Sequence, residues 1–130
     1  MKVLIADPDW RFAQQATAFL ESRAHDVVVQ PAPAEAAAQA RRWRPDVVIV
    51  AAQLAEAGLL EAVHTMDSRP AVLLTSWLDS SAQAWRAWQR GGDELLIKPV
   101  LASGDLQQAL VTARERAAAE EPARVAALPA

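Results

Sequence analysis

Five short apolar segments alternate with five stretches of helical periodicity along this chain. The apolar segments cover residues 3–5, 27–29, 47–50, 71–74 and 95–97. The helical stretches cover residues 10–23, 33–43, 58–66 and 80–90, and a last one begins at residue 103. Short aliphatic and β-branched runs are typical of strands, whereas apolar residues spaced by three and four are typical of helices. The pattern therefore predicts five strands that alternate with five helices.

The third apolar segment, at residues 47–50, indicates what kind of sheet these strands form. Its sequence, VVIV, is apolar at every position and not only at every second one. A strand that is apolar on both faces needs a layer above and a layer below it, which is typical of parallel sheets. Alternating strands and helices also favour such a sheet. We expect an α/β fold, a five-stranded parallel sheet of flavodoxin-like order 2-1-3-4-5 flanked by five helices.

Composition limits the classes of function. The 130 residues contain no cysteine and only two histidines, so disulfides and thiolate metal sites are impossible and no metal site is expected. The net charge of −3 and the pI near 5.3 argue against a nucleic-acid-binding face. The apolar runs are too short to span a membrane, and the start of the chain does not resemble a signal peptide, so a cytoplasmic location is expected. We predict one domain at residues 1–119 and an Ala/Pro-rich tail or linker at residues 120–130.

Polar side chains cluster where the predicted strands end. In open parallel sheets, the functional crevice lies at the carboxyl ends of the strands. Here those ends carry Asp7 and Asp9 after the first strand, Ala51 after the third, Thr75 after the fourth and Lys98 after the fifth. The sequence therefore predicts that these side chains share one pocket.

Four segments in this order resemble the receiver domain of response regulators (the CheY-like family). They read KVLIAD at residues 2–7, RPDVVIV at 44–50, PAVLLT at 70–75 and GGDELLIKP at 91–99. The resemblance implies two-component signalling, in which an aspartate at the end of the third strand accepts a phosphoryl group. It also implies a Mg²⁺ ion held by an acidic pair, a lysine, a hydroxyl, and a cis bond before Pro99.

The chain departs from the family pattern at the two positions that matter most for this chemistry. Ala51 stands where the phosphoacceptor aspartate is expected, and a methyl group cannot be phosphorylated. Pro8 stands where the second acid is expected and offers no side-chain oxygen to Mg²⁺, an ion that requires oxygen ligands. Asp7, Thr75 and Lys98 match the remaining positions. We therefore expect a degenerate pseudo-receiver without catalytic residues, in which Mg²⁺ binding is lost.

Several side chains have both a structural and a functional interpretation. Lys98 and Asp7 form either a relic catalytic pair or, as we favour, a stabilising salt bridge. We expect Thr75 to be a plain strand-end residue, since nothing remains for its hydroxyl to bind. Trp85 and Trp88 share one helical face, and either pack on the sheet or lie on the surface as an interface.

The expected function is phosphorylation-independent protein–protein interaction, not an enzymatic activity. The partner is a protein, with a second copy of the chain as one option. It is expected on the face formed by the fourth helix, the fifth strand and the fifth helix, which includes Trp85, Trp88 and Leu95. Leu95 stands where the family often has a switching aromatic residue. One alternative is a conventional phosphoacceptor receiver with a different strand register, and the other is a small-ligand-binding flavodoxin-like module.

Overall fold

The computed structural model describes the backbone of residues 1–126 and the side chains of residues 1–120. The strands are β1 (Lys2–Ala6), β2 (Asp26–Val29), β3 (Val47–Ala51), β4 (Ala71–Trp77) and β5 (Glu94–Lys98). The helices are α1 (Trp10–Ser22), α2 (Pro33–Trp43), α3 (Leu59–His64), α4 (Ser81–Gly91) and α5 (Ser103–Ala126). A 3₁₀ helix at Ala52–Ala57, which the periodicity did not predict, links β3 to α3. The predicted alternation is confirmed.

The five strands form one parallel sheet in the order β2-β1-β3-β4-β5, as predicted. β2 pairs with one side of β1, and β3 pairs with the other side. The crevice of such a sheet opens where the order reverses, between β1 and β3. The carboxyl ends of β1, β3, β4 and β5 therefore meet at one edge.

Alternate residues of the central strands fill two separate hydrophobic layers. On one face, side chains such as Ile5, Ile49 and Leu73 pack against Phe12 and Leu110, which belong to α1 and α5. On the other face, the intervening residues pack against α2, α3 and α4; they include Leu4, Val48, Val50, Val72 and Leu74. All five residues of β3 are buried, which confirms that its unbroken apolar run is covered on both sides.

The helix ends determine where the chain enters and leaves the edge of the sheet that carries the site. Asp9 caps α1, because its carboxylate accepts a hydrogen bond from the amide of Phe12.

α5 continues to Ala126, beyond the predicted boundary after residue 119. Residues 127–130 of the predicted tail lie outside the described residues, so this domain boundary stays a prediction. Within the described residues, no helix has the length and apolar content needed to cross a membrane.

Candidate functional site

Four polar side chains meet at the carboxyl edge of the sheet, and we call them the ion cluster: Asp7, Asp9, Thr75 and Lys98. The Oδ2 atom of Asp7 accepts hydrogen bonds from Thr75 Oγ1 at 2.8 Å and from Lys98 Nζ at 3.0 Å. The Oδ1 atom of Asp7 accepts one from the backbone amide of Asp9 at 2.9 Å. Both oxygens of this buried carboxylate are therefore occupied by donors from the protein itself.

Asp9 is the second acid of the ion cluster, and it holds its charge more readily than a free aspartate. Its Oδ2 atom lies 3.3 Å from Lys98 Nζ, and its Oδ1 atom accepts from the amide of Phe12 at 3.2 Å. Burial raises the pKa of Asp9, but the amide of Phe12 and the ammonium of Lys98 outweigh burial and hold the pKa below its ordinary value. One buried ammonium is thus balanced by two carboxylates.

Two aromatic rings cover the ammonium of Lys98. The Nζ atom lies 5.1 Å from the centroid of the Trp77 ring and 5.2 Å from that of Phe12, within the range of a cation–π contact. The side chain of Lys98 is only 3% exposed. A buried charge is tolerated when hydrogen bonds and opposite charges surround it, and this one has both. The ion cluster is therefore a closed arrangement.

The two positions where the sequence departs from the receiver pattern lie at different depths. Ala51 is buried at the end of β3 and is the register partner of Thr75 on β4. Pro8 is exposed and lines a shallow depression on the surface together with Trp10 and Val29. The structure thus brings together Asp7, Asp9 and Lys98, whereas the side chain of Pro8 has no oxygen that could join them.

Mg²⁺ is the ion that the receiver resemblance implies, and the residues present do not fit it. Mg²⁺ needs near-octahedral oxygen coordination, usually with one or two carboxylates. Asp7 already binds three protein donors, and Lys98 places a positive charge at the same oxygen. The side chain of Ala51 supplies no oxygen. Among the described residues, no three His, Cys, Asp or Glu side chains gather in a way that could hold a metal ion.

Thr75 is the site residue for which the sequence-based expectation is wrong. We expected its hydroxyl to have no partner, but it donates to the buried carboxylate of Asp7. Thr75 and Asp7 are 68 residues apart, so no local spacing connects them. Only the strand order could have indicated this hydrogen bond, because β1 and β4 both flank β3 and their carboxyl ends lie on either side of Ala51.

A second feature is an apolar groove of about 540 Å³ along α4 and β5, which we call the tryptophan groove. Its lining residues are Trp77, Leu78, Ser81, Ala84, Trp85, Trp88, Glu94, Leu95, Ile97 and Arg116. Trp85 is 62% exposed and Trp88 is 37% exposed, so neither indole packs fully on the sheet. Both indoles line this groove together with the half-buried Leu95.

The groove concentrates apolar surface that a monomer usually keeps covered. Trp77, Leu78 and Ile97 are also among the exposed large apolar side chains of the domain. The charged residues that line it, Glu94 and Arg116, pair with each other at 3.3 Å, so the groove has almost no net charge. Contiguous exposed apolar surface of this kind typically marks a binding site.

The opposite edge of the sheet holds an ion network that the sequence analysis did not identify. Arg69 forms two hydrogen bonds with Asp93, at 2.9 and 3.1 Å, and one with Glu120 at 2.6 Å. Asp93 also accepts from the amide of Val72 at 2.7 Å. Burial lowers the pKa of Arg69, but Asp93 and Glu120 outweigh burial and raise it above its ordinary value. This network ties β4, β5 and α5 together.

Asp46 and Glu56 have partners outside the ion cluster, and the bond before Pro99 has the geometry that the resemblance implied. Asp46 accepts a hydrogen bond from the amide of Lys2 at 2.7 Å, at the amino end of the sheet and away from the ion cluster. Glu56 lies in the 3₁₀ helix and pairs with Arg86 at 3.5 Å. The bond between Lys98 and Pro99 is cis.

Comparison with known proteins identifies the fold. Neither a family model nor a curated protein matches the sequence. Similar solved structures are NtrX from Brucella abortus in complex with ADP (TM-score 0.77, 18% identity) and a response regulator receiver domain protein from Clostridium thermocellum (TM-score 0.74, 24% identity). A third is the receiver domain of the Francisella response regulator 1452 (TM-score 0.70, 23% identity).

The coverage of these matches shows which part of each relative this chain resembles. The match covers 95% of this chain but only 28% of the NtrX chain. It covers 88% of this chain and 94% of the Clostridium chain, and 88% and 97% for the Francisella domain. With its sheet order 2-1-3-4-5 and flanking helices, the chain has the CheY-like fold of response-regulator receiver domains.

Proposed function

We propose that this domain is a receiver-like signalling module that binds a protein partner without accepting a phosphoryl group. The observation that carries the proposal is Ala51, which occupies the end of β3 beside Thr75. A receiver with this fold needs a carboxylate at that point as its nucleophile. The ion cluster near it contains two carboxylates, and both are paired with Lys98.

The pairing of β3 with β4 supports the assignment of Ala51 to the acceptor position. β3 and β4 pair continuously from Val47 with Ala71 to Ala51 with Thr75. The first acid after Ala51 is Glu56, whose side chain is 61% exposed and pairs with Arg86. This geometry weakens the alternative of a conventional phosphoacceptor.

The tryptophan groove is the surface that we propose for the partner. It lies on the face of α4, β5 and α5 that the sequence analysis favoured, and it presents Trp85 and Trp88. Tryptophan is enriched among residues that contribute most to binding energy at interfaces. A second copy of the chain is one such partner, and it is the one that purified protein can test alone.

Phosphorylation is tested by intact-mass measurement after incubation with acetyl phosphate and Mg²⁺. We expect no change in mass, while a conventional receiver treated in parallel gains one phosphoryl group. A phosphoryl group found on any aspartate or glutamate of this chain would contradict the proposal.

The docking surface is tested by sedimentation of the purified domain over a range of concentrations. If two copies associate, Trp88→Ala should weaken the association by at least about 2 kcal/mol, near 30-fold. Trp43→Ala is the matched control, because the half-buried Trp43 ends α2 and lies far from the groove in the fold. An association that Trp85→Ala and Trp88→Ala both leave unchanged would exclude the groove as the dimer interface.

A further inference from the structure

β2 is the outermost strand on its side of the sheet, so one of its two edges has no neighbouring strand. The backbone amides of Asp26 and Gln30 both donate toward β1, on the inner side. Because the direction of the backbone groups alternates along a strand, the N–H and C=O groups of Val27 and Val29 point outward. Each of these two valines therefore presents one donor and one acceptor at the free edge.

The outward groups of β2 are complementary to those of a second β2. In an antiparallel pair, two residues that face each other exchange both backbone hydrogen bonds. A two-fold axis through Val28 places Val29 of the second copy opposite Val27, and Val27 of the second copy opposite Val29. Both outward residues are then satisfied in both copies. Self-complementarity of this kind is the condition for a symmetric interface between identical chains.

The polar residues at the two ends of β2 are complementary under the same axis. It places Asp26 of each copy opposite Gln30 of the other. The Oε1 atom of Gln30 accepts from the amide of Ala32 at 3.2 Å, which leaves the NH₂ group of Gln30 to donate to a carboxylate. The carboxylate of the exposed Asp26 is such an acceptor. The pairing therefore brings a donor to an acceptor at each end, and no like charges face each other.

The middle of β2 is apolar and lacks the features that usually keep edge strands apart. Val27 and Val28 pack only partly on the two core layers, and Val29 is 42% exposed. Pairs of β-branched side chains across antiparallel strands stabilise a sheet. A lysine, a proline or a bulge within an edge strand typically prevents such pairing, and β2 contains none of them.

We propose that two copies of this chain associate through β2, which pairs antiparallel with itself and joins the two sheets into one. This interface goes beyond the proposed function, because it is a second surface that the tryptophan groove does not include. β2 and β5 are opposite edges of the sheet, so the pairing leaves the groove of each copy accessible. The dimer then presents two grooves to their partner.

The test is sedimentation equilibrium of Trp88→Ala over a range of concentrations, a background in which the groove is impaired. We expect this variant to dimerise. Adding Gln30→Glu should weaken the dimer by about fivefold or more, because a carboxylate then faces Asp26 at both ends of the pair. The new side chain still accepts from the amide of Ala32, so the monomer keeps this contact.

A rescue and a control make the test specific. Asp26→Asn combined with Gln30→Glu should restore the association, since the new amide donates to the new carboxylate of the other copy. Gln108→Glu makes the same change of charge on the exposed surface of α5 and should have no effect. A Trp88→Ala variant that stays monomeric at every concentration would overturn the proposal. Equal effects of Gln30→Glu and Gln108→Glu, or absence of the rescue, would overturn it as well.

Amide hydrogen exchange of the wild type gives a readout that needs no variant. In the monomer the amides of Val27 and Val29 face solvent, whereas that of Val28 faces β1 and is protected at the lowest concentration. We expect exchange at Val27 and Val29 to slow as the protein concentration rises. Exchange at these two amides that is independent of concentration would show that β2 is not the interface.

Discussion

The hydroxyl of Thr75 and the carboxylate of Asp7 form a 2.8 Å hydrogen bond across the end of β3. Thr75 lies near the carboxyl end of β4 and Asp7 follows β1, and these two strands are separated by β3. Neighbouring strands lie about 4.8 Å apart, so the two side chains together bridge two strand spacings, across the end of β3 where Ala51 lies. A small side chain at position 51 is therefore compatible with the bridge, and a longer acidic one competes with it.

Ala51→Asp should destabilise the domain and still leave it unphosphorylated. The new carboxylate would join Asp7 and Asp9 around the single ammonium of Lys98. An uncompensated buried charge commonly costs about 3 kcal/mol or more. Urea unfolding measures the loss of stability, and intact mass after acetyl phosphate treatment measures acceptance of phosphate.

Ala51→Asn is the matched control, because it adds nearly the same volume without the charge. We expect it to cost less than Ala51→Asp, with the difference reporting the repulsion between carboxylates. Efficient phosphorylation of Ala51→Asp alone would show that the residues of the pocket still hold Mg²⁺.

Thr75→Val should lower the free energy of unfolding, although it keeps the size of the side chain. A hydrogen bond to a charged group contributes about 1.5–3 kcal/mol, and the variant leaves Asp7 Oδ2 with Lys98 as its remaining side-chain donor. Thr65→Val is the control, because the hydroxyl of Thr65 bonds an exposed carbonyl within α3. If both variants unfold at the same urea concentration, the bridge contributes nothing to stability.

The fold could be predicted because its signals are local. An apolar run such as residues 47–50 identifies a buried strand by itself, and the alternation with helices restricts the sheet to parallel pairing. The strand order 2-1-3-4-5 was predicted as the common flavodoxin-like order, although other orders satisfy the same alternation. The 3₁₀ helix at Ala52–Ala57 was missed because six residues give too little periodicity to recognise.

The candidate site could be predicted only as a set of positions. The strand ends identified Asp7, Asp9 and Lys98 as neighbours, because parallel strands end at one edge. Which donor reaches which oxygen depends on distances that no spacing encodes, so the expectation that the hydroxyl of Thr75 has no partner was wrong. The exposure of Trp85 and Trp88 was open for the same reason, since helical periodicity gives the shared face but not what covers it.

Asp9 should give the domain a component of acid sensitivity. Because the amide of Phe12 and the ammonium of Lys98 lower its pKa in the folded state, the unfolded chain binds the proton more readily. The stabilisation is fully present above the ordinary value of 3.8 and is lost as the pH falls through the lower folded value. Urea unfolding of wild type and Asp9→Asn at a series of pH values measures this.

The difference in stability between wild type and Asp9→Asn should be constant near neutral pH and shrink below pH 3.8. A difference that stays constant into the acid range would mean that the charge of Asp9 does not stabilise the fold.

Arg69→Leu should destabilise the domain without changing the tryptophan groove. Removing one member of a buried ion pair costs about 3–5 kcal/mol, because Asp93 is left buried with its charge unpaired. Arg86→Leu is the control: it breaks an exposed pair with Glu56, which is worth at most about 1 kcal/mol. Urea unfolding gives both losses. Affinity for Nile red, a neutral apolar dye used as a probe of the tryptophan groove, should be equal in the two folded variants. A selective loss in Arg69→Leu would show that the network also shapes the groove.

The double substitution Pro8→Asp with Ala51→Asp should create a Mg²⁺ site that wild type lacks. Together with Asp7 and Asp9, it places four carboxylates at the edge of the sheet around one ammonium, and a divalent cation relieves their repulsion. Binding should quench the fluorescence of Trp10 or Trp77, which lie beside Pro8 and Lys98. Each single variant is a control: Ala51→Asp still lacks an oxygen at position 8, and Pro8→Asp still has the methyl group of Ala51. Wild type that binds Mg²⁺ as tightly as the double variant would show that Lys98 does not replace the metal, and the closed ion cluster would then be the wrong description of this pocket.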